Sequence, residues 1–446
     1  MIREVRELSQ MWSRLRWPRE RLVAYRDRKL RALLAHAYEN VPHYRRLFDG
    51  AGVHPRDVRG AEDLTRIPTT TKHDIQNAAP EDFVARGVDP ARLILRMSGG
   101  STGEPKPIRR TWFEERLLSA FRFRARRSVG LRPTDVIASI GLSRGRQRAD
   151  RQLPSKLLRM LGLFREVKVD CLRPPEQIVR RLEEIRPDVI TGYAGAVAQA
   201  AQAVQDRGVT SVRPRFVTTG AEVQTPLMRR QMADAFGCPV YNFYGANEFN
   251  LLAWECARTG ELHVCDDLLV LEVLRDGDRP AEADERGEVV GTNLHAWAMP
   301  FIRFRIDDVV TRGGDQCACG MPFSTIRAVQ GRMLDYFPLP DGRMMHPYEI
   351  IDVVLHDRAT WSRRYQLVQE RRDLVILRAV LKRAPSPQRL DEIREGARRA
   401  LGAGVEFRVE FVDEIPSEAN GKFRAFRSFV QSRYDGVEWE RVTDAR

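Results

Sequence analysis

The chain of 446 residues has the composition of a globular protein, with 43% hydrophobic residues and a formal net charge of +13. The arginines are spread along the whole sequence, often beside Asp or Glu, so no basic block predicts a nucleic-acid partner. No apolar run reaches the roughly 18 residues of a membrane span and the charged start is unlike a signal peptide, so we expect a cytoplasmic protein of two or three domains.

The first half of the chain predicts helices followed by alternating strands and helices. Residues 1–60 place apolar side chains at three- and four-residue spacing, which predicts a helical N-terminal cover. Strands are then predicted at 135–140, 188–191, 216–219 and 239–244, with helices at 112–129, 176–185, 194–206 and 226–236. Alternation of this kind is typical of a parallel α/β sheet, whose ligands bind at the carboxyl ends of its strands.

The second half of the chain changes character twice. Between 250 and 330 the pattern is one of short strands and turns, at 268–274, 287–292 and 301–305, which predicts a β-rich subdomain. Beyond Gly331 strands are predicted at 365–370, 374–380 and 405–411 and a helix at 387–401. We therefore expect an N-terminal domain at 1–331 and a small α+β domain at 332–446.

A loop rich in Gly, Ser and Thr lies between strand-like runs at 93–95 and 107–112. Glycines allow backbone N–H groups to turn toward one point, and hydroxyl and ammonium groups add donors suited to a polyphosphate. The candidate phosphate ligands are Ser98, Gly99, Gly100, Ser101, Thr102, Gly103 and Lys106. Glu104 and Pro105 separate the last glycine from the lysine, so the loop is not a Walker loop. A flexible hairpin tip is the alternative.

Four further segments downstream complete a pattern that resembles the adenylate-forming enzymes, which include acyl-CoA synthetases, nonribosomal-peptide adenylation domains and luciferases. These segments lie at 241–248, 304–308, 331–335 and 415–424. The run Leu-x-x-Ile-Pro-x-x-x-Lys at 64–72 resembles the phenylacetate-CoA ligase branch. The resemblance covers nearly the whole chain. It implies an α/β fold with a large N-terminal domain, made of parallel α/β sheets and a small β-barrel subdomain, and a small mobile α+β C-terminal domain.

The resemblance implies a site for ATP and Mg²⁺. Adenine and AMP would be bound by residues from several segments, namely Gly220, Ala221, Glu222, Asn242, Phe243, Tyr244, Gly245, Asn247, Asp308 and Arg332. Glu248 would bind Mg²⁺, for which a carboxylate is a suitable ligand. Asn247 replaces the usual hydroxyl residue, and its amide can still donate to a phosphate. Asp307 replaces the usual glycine, so an ambiguity between Asp307 and Asp308 remains for the ribose contact.

The resemblance also implies a catalytic lysine near the end of the chain. Lys422 follows Gly421 in a polar loop and matches the lysine that offsets the negative charge built up when a carboxylate attacks the α-phosphorus of ATP. The usual final arginine of this motif is displaced in the present sequence. Asp335 matches the hinge about which the small domain would rotate.

A second cluster of chemistry-bearing residues consists of Cys256, His263, Cys317 and Cys319. Three thiolates and one imidazole suit a closed tetrahedral Zn²⁺ site, and Cys-x-Cys-Gly forms a tight knuckle. Cys265 is an alternative to His263 as the fourth ligand. We expect a structural zinc ion and not a reaction centre.

The acyl pocket is expected beside the adenine site, with walls from Gly141, Tyr193 and Ala194. Small residues and one aromatic ring favour an aryl or arylacetic acid, although Tyr193 could instead close the core. The implied reaction forms an acyl-adenylate and pyrophosphate, then transfers the acyl group to a thiol, with coenzyme A as the first choice. A carrier-protein thiol, an amine acceptor or a nucleotide-binding relative without turnover are the alternatives. A homodimer is left open.

Overall fold

The computed structural model describes residues 7–97, 106–142, 163–275, 278–332, 337–345, 347, 350, 361–418 and 421–430. Its α-helices are α1 (Arg19–Asn40), α2 (Pro42–Gly50), α3 (Lys72–Gln76), α4 (Pro80–Phe83), α5 (Trp112–Ser128), α6 (Pro175–Ile185), α7 (Ala194–Asp206), α8 (Pro226–Phe236) and α9 (Pro387–Leu401). Short 3₁₀ helices lie at Ser13–Arg16, Pro55–Asp57, Ala61–Arg66 and Pro90–Arg92. None of the helices described here is both long and apolar enough to cross a membrane.

The β-strands are short. They are β1 (Ile94–Met97), β2 (Pro107–Arg110), β3 (Val136–Gly141), β4 (Arg165–Asp170), β5 (Val189–Tyr193), β6 (Phe216–Gly220), β7 (Val240–Tyr244), β8 (Ala253–Glu255), β9 (Leu262–Val264), β10 (Leu269–Arg275), β11 (Arg279–Pro280), β12 (Arg286–Asn293), β13 (Phe304–Arg312), β14 (Thr325–Arg332), β15 (Phe337–Pro338), β16 (Met344–Met345), β17 (Ser362–Arg371), β18 (Leu374–Leu381), β19 (Glu406–Phe411) and β20 (Phe426–Ser428).

The predicted α/β fold class is confirmed, and the strands differ from the predicted ones at several positions. Strand β4 was not predicted, because its sequence is polar and it pairs only with β3 at the end of the sheet order. The strand predicted at 301–305 instead begins at Phe304 and continues to Arg312. Arg303 has a backbone φ of 43°, which lies in the left-handed region and not in the extended region of a strand. The strand therefore begins only after Arg303.

The chain forms two compact units. The first contains the described parts of 1–130 and 243–329, and the second those of 131–242 and 330–438. Each unit thus draws on two separate stretches of sequence. The boundary expected between 331 and 332 stays a prediction.

The first unit holds the N-terminal helices and an antiparallel β-system. Its strands follow the order β11, β10, β12, β13, β14, β9 and β8, and β1 and β2 form a separate hairpin. Leu30 and Leu34 of α1 are fully buried in one hydrophobic cluster with Ile302. Arg124 of α5 makes a double hydrogen bond to the buried carboxylate of Asp267, at 2.6 and 2.8 Å. The predicted helical N-terminus therefore packs on the β-rich part of its own unit.

The second unit is built on a parallel sheet in the order β6, β5, β3 and β4, flanked by α6, α7 and α8. Its remaining strands form a second sheet in the order β19, β18, β17 and β20, which packs with α9. Buried residues of both sheets, including Ile190 and Leu377, belong to one hydrophobic cluster. Tyr193 pairs with Gly220 across β5 and β6, so the carboxyl ends of these strands meet at one edge.

Candidate active site

In the first unit, Lys106 forms an ion pair with Glu248. Both residues are buried, with 5% and 4% of their surface exposed. The ammonium nitrogen also lies 4.0 Å from the ring centroid of Phe304, within the range of a cation–π interaction. The predicted phosphate ligand and the predicted magnesium ligand are therefore neighbours. Phe304 was not singled out as a site residue, although it opens the segment that contains Asp308.

The second contact of this unit joins Tyr244 and Asp308. The Tyr244 hydroxyl donates a hydrogen bond of 2.8 Å to Oδ2 of Asp308. Asp307 has a backbone φ of 64°, in the left-handed region where glycine is favoured and Asp is tolerated better than most residues. This conformation accounts for the glycine usual at that position, and the hydrogen bond shows that Asp308 is the acid that faces the tyrosine.

Backbone contacts hold the turn that follows Tyr244. A Cβ atom on Gly245 would lie 2.4 Å from the carbonyl oxygen of Asn250, so only glycine fits there. The side chain of Asn293 donates to the carbonyl of Glu248 at 2.8 Å, and Arg110 donates to the carbonyl of Asn247. These bonds place the Glu248 carboxylate against Lys106, whereas the Asn247 side chain is exposed.

In the second unit, Glu222 lies just beyond the end of β6. Its Oε2 atom accepts a 2.6 Å hydrogen bond from the backbone N–H of Gly195, and its Oε1 atom accepts one of 2.7 Å from the N–H of Phe423. The preceding Ala221 has a φ of 65°, a conformation that costs a non-glycine residue about 1–2 kcal/mol. Burial raises the pKa of the Glu222 carboxyl to about 7, while the two N–H groups oppose that shift.

Lys422 lies at the same edge of the parallel sheet as Tyr193. Its ammonium nitrogen is 5.7 Å from the centroid of the tyrosine ring. On one side, Gly421 has a φ of 75° and approaches the sulfur of Cys171 so closely that a Cβ there would lie 2.5 Å away. On the other side, the Phe423 ring lies 3.7 Å from the guanidinium of Arg364. The lysine is thus carried by a packed loop.

Sequence reasoning missed Arg364 and Phe423 as neighbours of this site. Burial lowers the pKa of Arg364 to about 10, although Glu222 and Glu414 raise it. Arg364 lies in strand β17, far from Lys422 in sequence, and nothing local indicates its place beside the lysine loop. The aromatic residue directly after the Gly-Lys pair was the available signal for Phe423.

The expected acyl-pocket residues meet at the sheet edge of the second unit. Gly141 ends β3, Tyr193 ends β5 and is half-buried, and Ala194 opens α7 and is buried. A Cβ atom on Gly141 would meet no described atom within 4 Å. Strand β7 contains Asn242 and Phe243, and Phe243 pairs with Trp254 of β8.

Some predicted residues lie outside the described part of the chain. These are Ser98, Gly99, Gly100, Ser101, Thr102, Gly103 and Asp335, together with the side chain of Arg332.

The cysteine and histidine cluster is brought together in the first unit. Ligand atoms of Cys256, His263, Cys317 and Cys319 all lie within 4.8 Å of one another, and Nε2 of His263 is 3.3 Å from Sγ of Cys319. A tetrahedral zinc ion would require ligand separations of roughly 3.3–3.8 Å, so only small shifts are needed. Burial lowers the pKa of His263 to about 4, which leaves the imidazole neutral at pH 7 as ligation requires.

Strand pairing explains why these four residues meet. A turn closed by the bond from Cys256 N to Glu261 O, 2.8 Å long, connects β8 and β9 and places Cys256 near His263. The Cys317–Cys319 knuckle lies a short loop before β14, which begins at Thr325 and pairs there with His263 of β9. Cys265 is fully buried and is not among the four clustered residues. His263, and not Cys265, is therefore the fourth candidate ligand in the structure.

Comparison with known proteins places this geometry in a family. Residues 340–428 match the model of the CapK C-terminal domain. The phenylacetate-coenzyme A ligase of Thermus thermophilus is 28% identical over 76% of this chain and 76% of its own length. The enzyme of the same name from Escherichia coli is 30% identical over 65% of this chain and 67% of its own.

Solved structures agree on the fold. A 2-hydroxyisobutyryl-CoA ligase in complex with an acyl-AMP matches with a TM-score of 0.77 and 20% identity, over 92% of this chain and 90% of that one. Together with the identity to the Escherichia coli enzyme, these results show that the chain belongs to the phenylacetate-coenzyme A ligase family of adenylate-forming enzymes.

Proposed function

We propose that this protein uses ATP to activate a carboxylic acid and transfers the acyl group to coenzyme A. In the first step a carboxylate oxygen attacks the α-phosphorus of ATP and pyrophosphate leaves. In the second step the thiol sulfur attacks the acyl carbonyl and AMP leaves. Two relatives of this chain, at 28% and 30% identity, are phenylacetate-coenzyme A ligases, which supports this reaction.

One observation carries the proposal. Residues from three separate segments of the first unit converge, since Lys106 pairs with Glu248 and lies over Phe304, and Tyr244 bonds Asp308 in the same strand as Phe304. An ammonium, two carboxylates and an aromatic ring are what phosphates, a metal ion, a ribose and an adenine base require. Glu248 is buried and Asp308 is half-buried, so this chain of contacts holds two carboxylates away from open solvent.

The roles follow from the chemistry of each group. Lys106 would bind phosphate, Asp308 would accept from the ribose hydroxyls, and Tyr244 would stack on adenine. Glu248 is a hard oxygen donor beside a phosphate ligand and therefore fits Mg²⁺, which would neutralise charge on the phosphates when bound. Lys422, from the second unit, would offset the charge that develops as the carboxylate attacks.

The acid is proposed to be an aryl or arylacetic acid. A Cβ on Gly141 would meet none of the described atoms within 4 Å, which leaves room among them for a flat ring, and Tyr193 at the end of the neighbouring strand can stack on it. A long alkyl chain would gain less from that one aromatic wall.

The second proposal is a structural zinc ion held by Cys256, His263, Cys317 and Cys319. The spacing of the ligand atoms and the neutral imidazole support it. Its position between β9 and the start of β14 suits a clip that joins two strands of the β-rich subdomain.

Pyrophosphate release with ATP and a panel of carboxylic acids, with and without coenzyme A, tests the reaction. We expect release with aryl or arylacetic acids and a thioester product only when coenzyme A is present. Adenylate that accumulates without thioester would favour a carrier-protein or amine acceptor. An absence of pyrophosphate release with every acid would favour a relative that binds nucleotide without turnover.

A further inference from the structure

The carboxylate of Glu222 connects two backbone N–H groups that are far apart in sequence. One oxygen accepts from Gly195, at 2.6 Å, and the other accepts from Phe423, at 2.7 Å. Both acceptor atoms are used, so the side chain joins the turn after β6 to two other segments of its unit. Hydrogen bonds to a charged acceptor contribute more than neutral ones.

The first partner lies at the beginning of α7. Tyr193, the residue before this helix, makes no side-chain bond to its free N–H groups, so the Glu222 carboxylate satisfies one of them. Gly195 also allows the third segment to approach, because a Cβ there would be 2.6 Å from the Cβ of Phe423. The start of α7, Glu222 and the loop that carries Lys422 are therefore in direct contact.

The second partner belongs to the peptide group that links Lys422 to Phe423. The N–H of that group donates to Glu222, and its C=O accepts a 2.8 Å bond from the N–H of Glu418. The peptide plane next to the Lys422 side chain is thus held at both ends. Packing of Gly421 against Cys171 fixes the preceding residue as well.

The charges around Glu222 suit this contact. Lys422 and Arg364 both favour its ionised form, which is the form that can accept two N–H bonds, and they oppose the effect of burial. Arg364 in turn covers the ring of Phe423 at 3.7 Å. Loss of the Glu222 carboxylate would release the peptide group between Lys422 and Phe423 while the lysine side chain itself stays unchanged.

We propose that Glu222 is a positioning residue that holds the Lys422 loop at the carboxyl edge of the parallel sheet by bonding the N–H groups of Gly195 and Phe423. This inference rests on the proposed role of Lys422 and assigns Glu222 a different task from the nucleotide contact expected from sequence. Glu222 acts through Lys422 and not on ATP.

The test compares Glu222→Gln with the wild-type protein. Glutamine is isosteric but offers one acceptor, so its –NH₂ faces one of the two N–H groups. We expect the kcat of adenylate formation to fall about 10- to 100-fold, the loss of one charge-assisted bond, while the KM for ATP changes less than about twofold. Amide exchange in a peptide covering Phe423 should accelerate while the melting temperature stays close to that of the parent. Glu184→Gln, on the exposed face of α6, is the control and should change neither quantity.

Two results would overturn the proposal. A raised KM for ATP with unchanged kcat would make Glu222 a nucleotide ligand, and unchanged amide exchange at Phe423 would show that the carboxylate does not anchor the loop. Failure of the proposed function has a separate signature, because the parent protein would then release no pyrophosphate with any acid. Failure of the proposed role of Lys422 would instead leave Lys422→Ala with the wild-type rate of adenylate formation.

Discussion

Lys106 and Glu248 neutralise each other in the first unit, where both are buried and joined by an ion pair. The same two residues are the predicted ligands of the ATP phosphates and of Mg²⁺. On binding of Mg²⁺ and ATP, the Lys106 ammonium would therefore pair with phosphate and the Glu248 carboxylate with the metal ion, in place of their pairing with each other. Such an arrangement keeps a cation and an anion side by side in a region that water does not reach freely.

Removal of either partner should destabilise the protein. Lys106→Met or Glu248→Gln leaves the other group without its partner, and breaking a buried pair from one side costs about 3–5 kcal/mol. The double variant should cost less than the sum of the two single changes. Urea unfolding of the wild-type protein, the two single variants and the double variant measures this coupling. Asp82→Asn, which breaks the exposed pair with Arg46, is the control and should lower the free energy of unfolding by less than about 1 kcal/mol. Additive effects in the cycle would contradict a coupled pair.

Lys422→Ala should abolish adenylate formation and leave folding and nucleotide binding almost unchanged. The lysine is proposed to stabilise charge in the transition state, and loss of one such donor typically lowers kcat by about 10²–10³-fold. Pyrophosphate exchange measures the rate, and calorimetry with ATP measures binding. Lys382→Ala changes an exposed lysine directly after β18 in the same unit and serves as the control. An adenylation rate equal to that of the parent would remove Lys422 from the mechanism.

Removal of zinc should loosen the β-rich subdomain, because the free energy of metal binding is also free energy of folding. Chelation or Cys317→Ser is expected to lower the melting temperature, while the rate of adenylate formation by the protein that stays folded changes little. Elemental analysis of protein purified without added zinc should find about one equivalent. Cys238→Ser, outside the cluster, should leave the metal content unchanged. Less than about 0.2 equivalents in the parent protein would count against the site.

Tyr193→Ala should raise the KM for the preferred aromatic acid and spare the KM for ATP, because the ring is proposed to stack on the acyl group. Tyr193→Phe keeps the ring and separates stacking from a hydrogen bond of the hydroxyl. Steady-state kinetics with both substrates gives the two constants. Equal effects on both substrates would instead indicate that Tyr193 packs in the core, and a parent enzyme that prefers medium-chain fatty acids would exclude an aromatic pocket.

The sequence alone determined the helices and strands of the parallel sheet. Apolar residues at helical spacing and short β-branched runs predicted α6, α7, α8 and strands β5 to β7 closely, because these patterns depend on neighbours in sequence. It also predicted the α/β fold class and membership of the adenylate-forming enzymes, since five motifs occur in order. A polar edge strand such as β4 lacks the apolar pattern and was not predicted.

The tertiary structure alone decided which side chains meet. The sequence could not choose between His263 and Cys265, but the pairing of β9 with β14 brings His263 to the knuckle. The hydrogen bond from Tyr244 identified Asp308, and not Asp307, as the partner of the tyrosine. Similarly, Glu222 reaches Phe423 across 201 residues of sequence. Contacts of this kind depend on how segments that are distant in sequence pack together, and a local pattern of residues does not show which distant segment it will contact.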